Sequence, residues 1–493
     1  MPPPISITDL KIEYLVDRLV FAGGEKTPYS LLYGNTLATA PQYDIINFKD
    51  RISGEKACAG RAGCRDTCTG NGRRSARHKL VASGTLGLQC HYYCGLAAAY
   101  SHRCPQAGPD ERVDATRTHR KKDYCMTLII VCAVLLVLVA AAYLLMTVYP
   151  AFGRRAGKQE KTRNLRSAQY SKGKFAYPQT ADLSGEKARS SGLSILRDFI
   201  KGNPRSRPPE PLQPQPLLPS SIGEGRDTRV TWFGHSAVLL EMDGVTLFLD
   251  PMLGRAPSPF PFIGGRRYSK QLPLEVSLLP QMDAVLLSHD HYDHLDYGTI
   301  RQLKDKVGLF IVPLGVGTHL RRWGVAAEKI REQDWGDTLT YAGIAFTCAP
   351  ARHFSGRSLL DRNTTLWCSW IIQGEKSKVF FSGDSGYGPH FAEIGRTHGP
   401  FDLTLMECGQ YDPRWADIHM LPEQTVEAHI DVQGGLLIPI HWGAFTLSMH
   451  DWTDPVERIS AAAALRGVRL VTPRIGETVI AGSAGYPVLP WWR

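Results

Sequence analysis

The run Asp283-Ala-Val-Leu-Leu-Ser288 leads without a break into His289-Asp290-His291-Tyr292-Asp293-His294. The first half is a short apolar run, which predicts a β-strand. The second half places three imidazoles and two carboxylates within six residues. Residues two apart in an extended chain project to one side, so His289 and His291 point together. Asp293 and His294 fall where the chain is expected to turn into a helix. Neutral imidazole with carboxylate suits Zn²⁺, and this many donors can serve two ions. The plain alternative is a solvated His-rich loop. The pattern H-x-H-x-D-H arises by chance in roughly one chain of this length in a thousand, which disfavours that alternative.

Working outward, three other apolar runs end in a donor. Ile344-Ala-Phe-Thr-Cys-Ala-Pro-Ala-Arg-His353 ends in an imidazole, and Lys378-Val-Phe-Phe-Ser-Gly-Asp384 in a carboxylate. Leu436-Leu-Ile-Pro-Ile-His441 ends in a second imidazole. Taken singly, a His at a strand end is most often a packed or surface residue. Together the runs repeat one design, in which a strand delivers a ligand at its C-terminal edge. Seven donors, His289, His291, Asp293, His294, His353, Asp384 and His441, then gather on one rim of a sheet. Gly383 allows close backbone approach there.

The rest of the chain divides by texture. The 493 residues carry a net charge of +10. From Arg226 onward, however, 25 basic residues face 29 acidic ones, so the positive excess lies in the first 225 residues. A mildly acidic second half argues against a groove for a phosphate backbone, and no nucleic-acid partner is expected. Seven of the 11 cysteines precede residue 126, including Cys64-Arg-Asp-Thr-Cys68 and Cys90-His-Tyr-Tyr-Cys94. That C-x3-C spacing reads as irregular sequence rather than a zinc knuckle. Only Cys348, Cys368 and Cys408 follow the apolar run, so a reducing compartment is expected for the second half.

Residues 126–149 contain no charge and are long enough to cross a bilayer as a helix, with Tyr143 and Tyr149 near one interface. Cations flank both ends, five upstream and six downstream. Met126 stands at the start of the run, and a functional chain beginning there would carry its cations only after the helix. The catalytic part would then face the cytoplasm. The expected organisation is a Cys- and Arg-rich extension over 1–125, foreign to the functional protein, and a membrane anchor over 126–149. A basic, Pro-rich linker over 150–225 and a catalytic domain over 226–493 complete it. Within the linker, 194–200 predicts two amphipathic turns and 204–219 a semi-rigid spacer.

At this point the sequence resembles the metallo-β-lactamase superfamily, and more closely its N-acylphosphatidylethanolamine-hydrolysing phospholipase D branch. The matching residues are Trp232-Phe-Gly-His-Ser236, Glu241-Met-Asp243, Leu249-Asp-Pro251, Ser288 to Tyr297, Gly383-Asp-Ser-Gly-Tyr387, Tyr411-Asp-Pro-Arg-Trp415 and Ile440-His-Trp-Gly443. The resemblance implies an αββα sandwich of the α+β class, two mixed sheets flanked by helices, preceded here by one transmembrane helix. It implies two zinc ions per chain, the first on His289, His291 and His353. The second would sit on Asp293, His294 and His441, with Asp384 bridging. Asp250 and His235 would stand behind the ligands and orient them. Asp293 and Asp384 would also take part in catalysis, and His419 would contact the scissile phosphate. The implied substrate is a membrane phospholipid, and the partner is the lipid bilayer. The loop Ser258-Pro-Phe-Pro-Phe-Ile263 either enters lipid or caps the core. Two other functions compete: a lactonase acting on a small phosphorylated substrate, and a membrane-tethered scaffold with a vestigial metal site.

Overall fold

The computed structural model describes residues 111–178, 194–195 and 197–493. The cysteine motifs at 64–68 and 90–94 and most of the expected extension lie outside the described residues. The helix Glu111–Val148 contains the stretch Asp123–Val148, long and apolar enough to cross a membrane by length and composition. Over 123–148 its apolar side chains are exposed apart from partly buried Met146, unlike those of a soluble core helix.

Beyond a two-stranded hairpin, β1 (Tyr170–Ser171) and β2 (Lys174–Phe175), the strands form two mixed sheets. The first is built from β3 (Arg229–Trp232), β4 (Val238–Met242), β5 (Val245–Leu249), β6 (Met282–Leu286), β7 (Val307–Pro313) and β8 (Ile330–Gln333). The second contains β9 (Thr338–Tyr341), β10 (Ile344–Ala349), β11 (Ser369–Gln373), β12 (Lys378–Phe381), β13 (Phe401–Glu407) and β14 (Gly434–Ile440). A last strand, β15 (Thr478–Ile480), returns to pair with β3 on the edge of the first sheet. In each sheet antiparallel strands give way to parallel ones: β5 through β8 in the first, β12 through β14 in the second.

Side-chain alternation explains the layering. On β5 and β6, Leu247, Leu249, Ala284 and Leu286 face the second sheet, meeting a core with Phe346, Trp370, Ile372, Phe381 and Leu405. Phe248 and Val285 point the other way, onto Ile300, Leu303 and Leu320 of the helices Tyr297–Leu303 and Gly317–Arg322. A strand covered on both faces must read as a continuous apolar run, as Ala284-Val-Leu-Leu does. The helices His390–His398, Pro422–Asp431 and Asp454–Arg466 cover the outer face of the second sheet through Phe391, Val426 and Ile459. The order is helix, sheet, sheet, helix.

Several described residues between the apolar helix and β3 pack on the domain. Tyr170, Phe175 and Tyr177 share a core with Leu314, Leu366 and Trp367. In the Pro-rich stretch, Gln215 N donates to Ile475 O at 2.7 Å and Leu217 N to Pro273 O at 2.9 Å. Around 194–201 the described residues are helical, and Asp198 pairs with Arg414 at 2.8 Å.

Candidate metal centre

The ends of strands from both sheets, chiefly of their parallel parts, open on one edge, where carboxyl-terminal loops of parallel sheets commonly hold ligands. Asp250 follows β5, the donor run 289–294 follows β6, His353 follows β10, Asp384 follows β12 and His441 follows β14. The run 289–294 remains loop. The helix begins at Tyr297, capped by Asp296, whose carboxylate accepts from Thr299 N at 2.7 Å. The structure brings all seven expected donors together, and each is buried except His291 and Asp293, which are partly exposed.

One group is all imidazole. His289 Nε2 lies 2.9 Å from His291 Nδ1, and His353 Nε2 lies 3.2 Å from the same atom. The second group mixes charge: Asp293 Oδ2 is 3.5 Å from His294 Nε2 and 3.4 Å from His441 Nε2. Asp384 sits between the groups. Its Oδ2 is 3.0 Å from His294 Nε2, 3.1 Å from His441 Nε2, and 3.8 Å from both His289 Nε2 and His353 Nε2. Both Asp384 oxygens and His294 Nε2 are buried without a hydrogen-bond partner. A buried carboxylate left this way is costly unless a positive charge completes it, from a metal ion or from protonated neighbouring imidazoles. The donor set therefore fits a divalent metal site.

The outer nitrogens are held by neighbours. Asp250 Oδ2 lies 2.7 Å from His294 Nδ1 and also accepts from the Ser288 hydroxyl, at 2.5 Å. Ser288 Oγ is in turn 2.9 Å from His289 Nδ1. His353 Nδ1 donates to Ile418 O at 3.0 Å and His441 Nδ1 to Gly409 O at 3.2 Å. A proton held on the outer nitrogen leaves the inner lone pair aimed at the centre. His235 Nε2 meets Asp293 Oδ2 at 3.0 Å. His419 lies beside the cluster, its ring stacked on His441 at 5.0 Å and its Nδ1 bonded to Glu407 Oε2 at 2.8 Å.

Glu407 was not singled out in the sequence. It closes β13, is fully buried, accepts from Met420 N at 2.6 Å, and lies 3.5 Å from His441 Nδ1. The run Leu403-Thr-Leu-Met-Glu407 repeats the strand-then-donor pattern of the other ligand strands, and that signal could have found it.

Backbone conformation adds to the arrangement. His235, Asp250 and His441 have φ of 55°, 40° and 67°, left-handed values rare outside glycine, and such strain concentrates at functional sites. Gly383 has φ 55°, and a Cβ there would meet Ser288 Cβ at 2.7 Å and Cys368 O at 2.8 Å.

The electrostatics separate the groups. Burial holds His289 and His353 well below the usual imidazole range and lowers His291 to about 4. Burial, with repulsion from His441, takes His235 down to about 3. For His441 burial is opposed and outweighed, mainly by the Asp384 carboxylate, and the imidazole rises to about 10. His294 is raised well above its usual range despite burial, by Asp384, Asp293 and Asp250. Burial raises the Glu407 carboxyl. Without metal, protons on His294 and His441 neutralise the two aspartates.

Two mixed sheets in an αββα sandwich, with a histidine and carboxylate cluster at their shared edge, define a metal-dependent hydrolase of the metallo-β-lactamase superfamily. The chain belongs to that superfamily, and residues 246–442 match the model of the Beta-lactamase superfamily domain. It is 44% identical over 308 residues to an uncharacterised protein of Mycobacterium tuberculosis, covering 61% of this chain and 80% of that one. It is 33% identical over 265 residues to N-acyl-phosphatidylethanolamine-hydrolyzing phospholipase D 1 of Caenorhabditis elegans, covering 50% of this chain and 74% of the worm protein. The mitochondrial enzyme of that name from Saccharomyces cerevisiae is 30% identical over 280 residues, covering 53% of this chain and 58% of its own. Among solved structures, the metallo hydrolase Igni18 of Ignicoccus hospitalis superposes with a TM-score of 0.39 at 21% identity, covering 51% of this chain and 97% of its own.

Proposed function

We propose that this chain is a membrane-anchored, dinuclear zinc phosphodiesterase of phospholipase D type, acting on N-acylphosphatidylethanolamine-like phospholipids. The observation that carries the reading is Asp384, a buried carboxylate without hydrogen-bond partners, set between an all-imidazole group and a mixed one. His289, His291 and His353 would hold one zinc, and Asp293, His294 and His441 the other, with Asp384 shared. Paired divalent cations supply two things when bound: a water acidic enough to ionise near neutral pH, and charge to match a phosphoryl group in the transition state.

The chain's own groups do the rest. Asp250 and Ser288 fix the rings of His294 and His289, and His235 steadies the Asp293 carboxylate. Asp293 would accept a proton of the attacking water. Glu407 holds the His419 ring through Nδ1, and Nε2 would donate to a phosphoryl oxygen when the ring carries both protons. Water oxygen bonds to phosphorus while the bond to the N-acylethanolamine oxygen breaks. That oxygen takes a proton, and phosphatidic acid remains.

Support for a lipid substrate comes from the worm and yeast relatives and from the apolar helix. A cytoplasmic catalytic domain is the reading for a chain that begins at Met126, whose only flanking cations are the six after the helix. The test is full-length chain in phospholipid nanodiscs, with metal content measured, given N-acylphosphatidylethanolamine in ¹⁸O-water. The expected result is N-acylethanolamine with the label in phosphatidic acid. Metal-loaded protein that leaves this lipid intact and opens a phosphorylated lactone would overturn the reading.

A further inference from the structure

Residues 147–154, where the chain leaves the apolar helix, are fastened to the catalytic domain. Arg322 Nη2 donates to Thr147 O at 2.9 Å and Val148 O at 2.6 Å, and its Nη1 to Gly153 O. Trp323 Nε1 donates to Pro150 O at 2.8 Å. Buried Arg357 gives Nε and Nη2 to Ala151 O at 3.0 and 2.9 Å. Its Nη1 donates to Asp290 O at 2.5 Å and Leu295 O at 2.8 Å, so one guanidinium holds both the helix base and the donor loop. Arg154 N donates to His319 Nδ1 at 2.9 Å, and His319 Nε2 lies 3.2 Å from Asp290 Oδ2. A simple tether requires none of these bonds.

Two apolar loop tips flank this joint. Tyr149 stacks on Phe260 at 5.1 Å, and Phe260 lies 5.8 Å from Phe262, which is 75% exposed and followed by exposed Ile263. Shortly after Arg357, Leu359 is 91% exposed and Leu360 is exposed beside it. Exposed Arg255, Arg266 and Arg362 accompany the tips, without a carboxylate partner among the described residues. Single exposed apolar side chains are ordinary. Four on two tips beside a membrane-length apolar helix, with cations among them that lack a carboxylate partner, match the chemistry of an anionic lipid surface.

The second tip also reaches the metal donors. Arg362 lies over the Phe354 ring at 4.1 Å, and that ring is 4.4 Å from His291 and 4.8 Å from His353. A cavity of ≈ 290 Å³ between helix base and donor loop is lined by Tyr149, Arg255, Pro261, Tyr292 and Arg357 among others.

We propose that Phe262, Ile263, Leu359 and Leu360, with Arg255, Arg266 and Arg362, form a contact surface for an anionic phospholipid bilayer. The joint at 147–154 then holds the domain at one attitude to the membrane, and a diacyl lipid reaches the donor rim directly from the leaflet. This rests on the lipid-substrate reading above. The test incorporates the full chain into nanodiscs of phosphatidylcholine and phosphatidylglycerol doped with a diazirine-acyl phosphatidylcholine, followed by photolysis and peptide mapping. Lipid adducts are expected on the helix and on peptides carrying residues 259–263 and 358–362. Adducts on the helix alone, or on neither, overturn the surface.

A second measurement uses Phe262→Asp combined with Leu359→Asp. Lipid turnover is expected to fall about tenfold, the scale of losing one modest interfacial anchor, with hydrolysis of soluble bis(p-nitrophenyl) phosphate unchanged. Equal loss on both substrates, or loss on neither, overturns the proposal. If the unaltered chain cleaves the soluble ester but no lipid, the substrate reading fails while the adduct map still decides the surface.

Discussion

The two halves of the donor cluster solve the same problem in opposite ways. His289, His291 and His353 stand close together with no carboxylate of their own, and burial keeps them neutral. Asp293, His294 and His441 are equally enclosed, yet their carboxylates draw protons onto the imidazoles. The first half is prepared to receive a cation as it stands. The second is already internally compensated, and a cation must evict what compensates it. On the dinuclear proposal, similar side chains would therefore yield a readily filled position and a contested one, with Asp384 common to both.

Removing the shared group should have the largest effect. Asp384→Ala is expected to cut turnover by at least about 10²–10³-fold, the scale of losing one electrostatic contributor to a transition state. Circular dichroism should show the fold retained, and unchanged turnover would remove Asp384 from its shared role. Next, the halves should fail separately. Native mass spectrometry is expected to find one zinc lost in His353→Ala and the other in His441→Ala. If both variants lost the same equivalent, the division drawn here would be wrong.

A smaller effect is expected behind the ligands. Asp250→Asn keeps the shape but weakens the hold on His294, and should lower zinc affinity about 10–100-fold, the usual range for such partners. Competition with a chromophoric chelator would measure it.

The finest distinction is a count of protons. The His441 imidazole is raised to about 10 and His294 is raised as well, so both carry protons at neutral pH that zinc must displace. Affinity at that half should rise with pH up to about 10 and fall on acidification. In the other half His291 is lowered to about 4 and burial holds His289 and His353 well below their usual range, so its affinity should be level from mildly acidic to neutral pH. Calorimetry in buffers of different ionisation enthalpy would resolve about two released protons for one site and none for the other. Equal release at both sites would erase the contrast.

Legibility in the sequence followed how local each feature is. The run 289–294 declares itself because its donors are neighbours in the chain, and His353, Asp384 and His441 each end a plain apolar strand. Glu407 ends one as well, and the same strand-then-donor pattern marks it, but its burial is not written in that pattern. Only the fold reveals that helix Pro422–Asp431 and the 418–420 loop bury it. The joint at 147–154 was equally hidden. Its partners lie more than 160 residues away, and backbone carbonyls leave no trace in side-chain pattern. The pairing of Asp250 with His294 likewise depends on β5 lying beside β6.

One small feature constrains how this molecule can move. His235 N donates to Trp442 O and His441 N to His235 O, each at 2.9 Å, stitching the two sheets together within the donor cluster itself. A clamshell motion, with the sheets hinging apart to admit a bulky molecule, would first have to tear that stitch. Any adaptation to guests of different size would then fall to the surrounding loops, with the span across the cluster held constant by these two bonds.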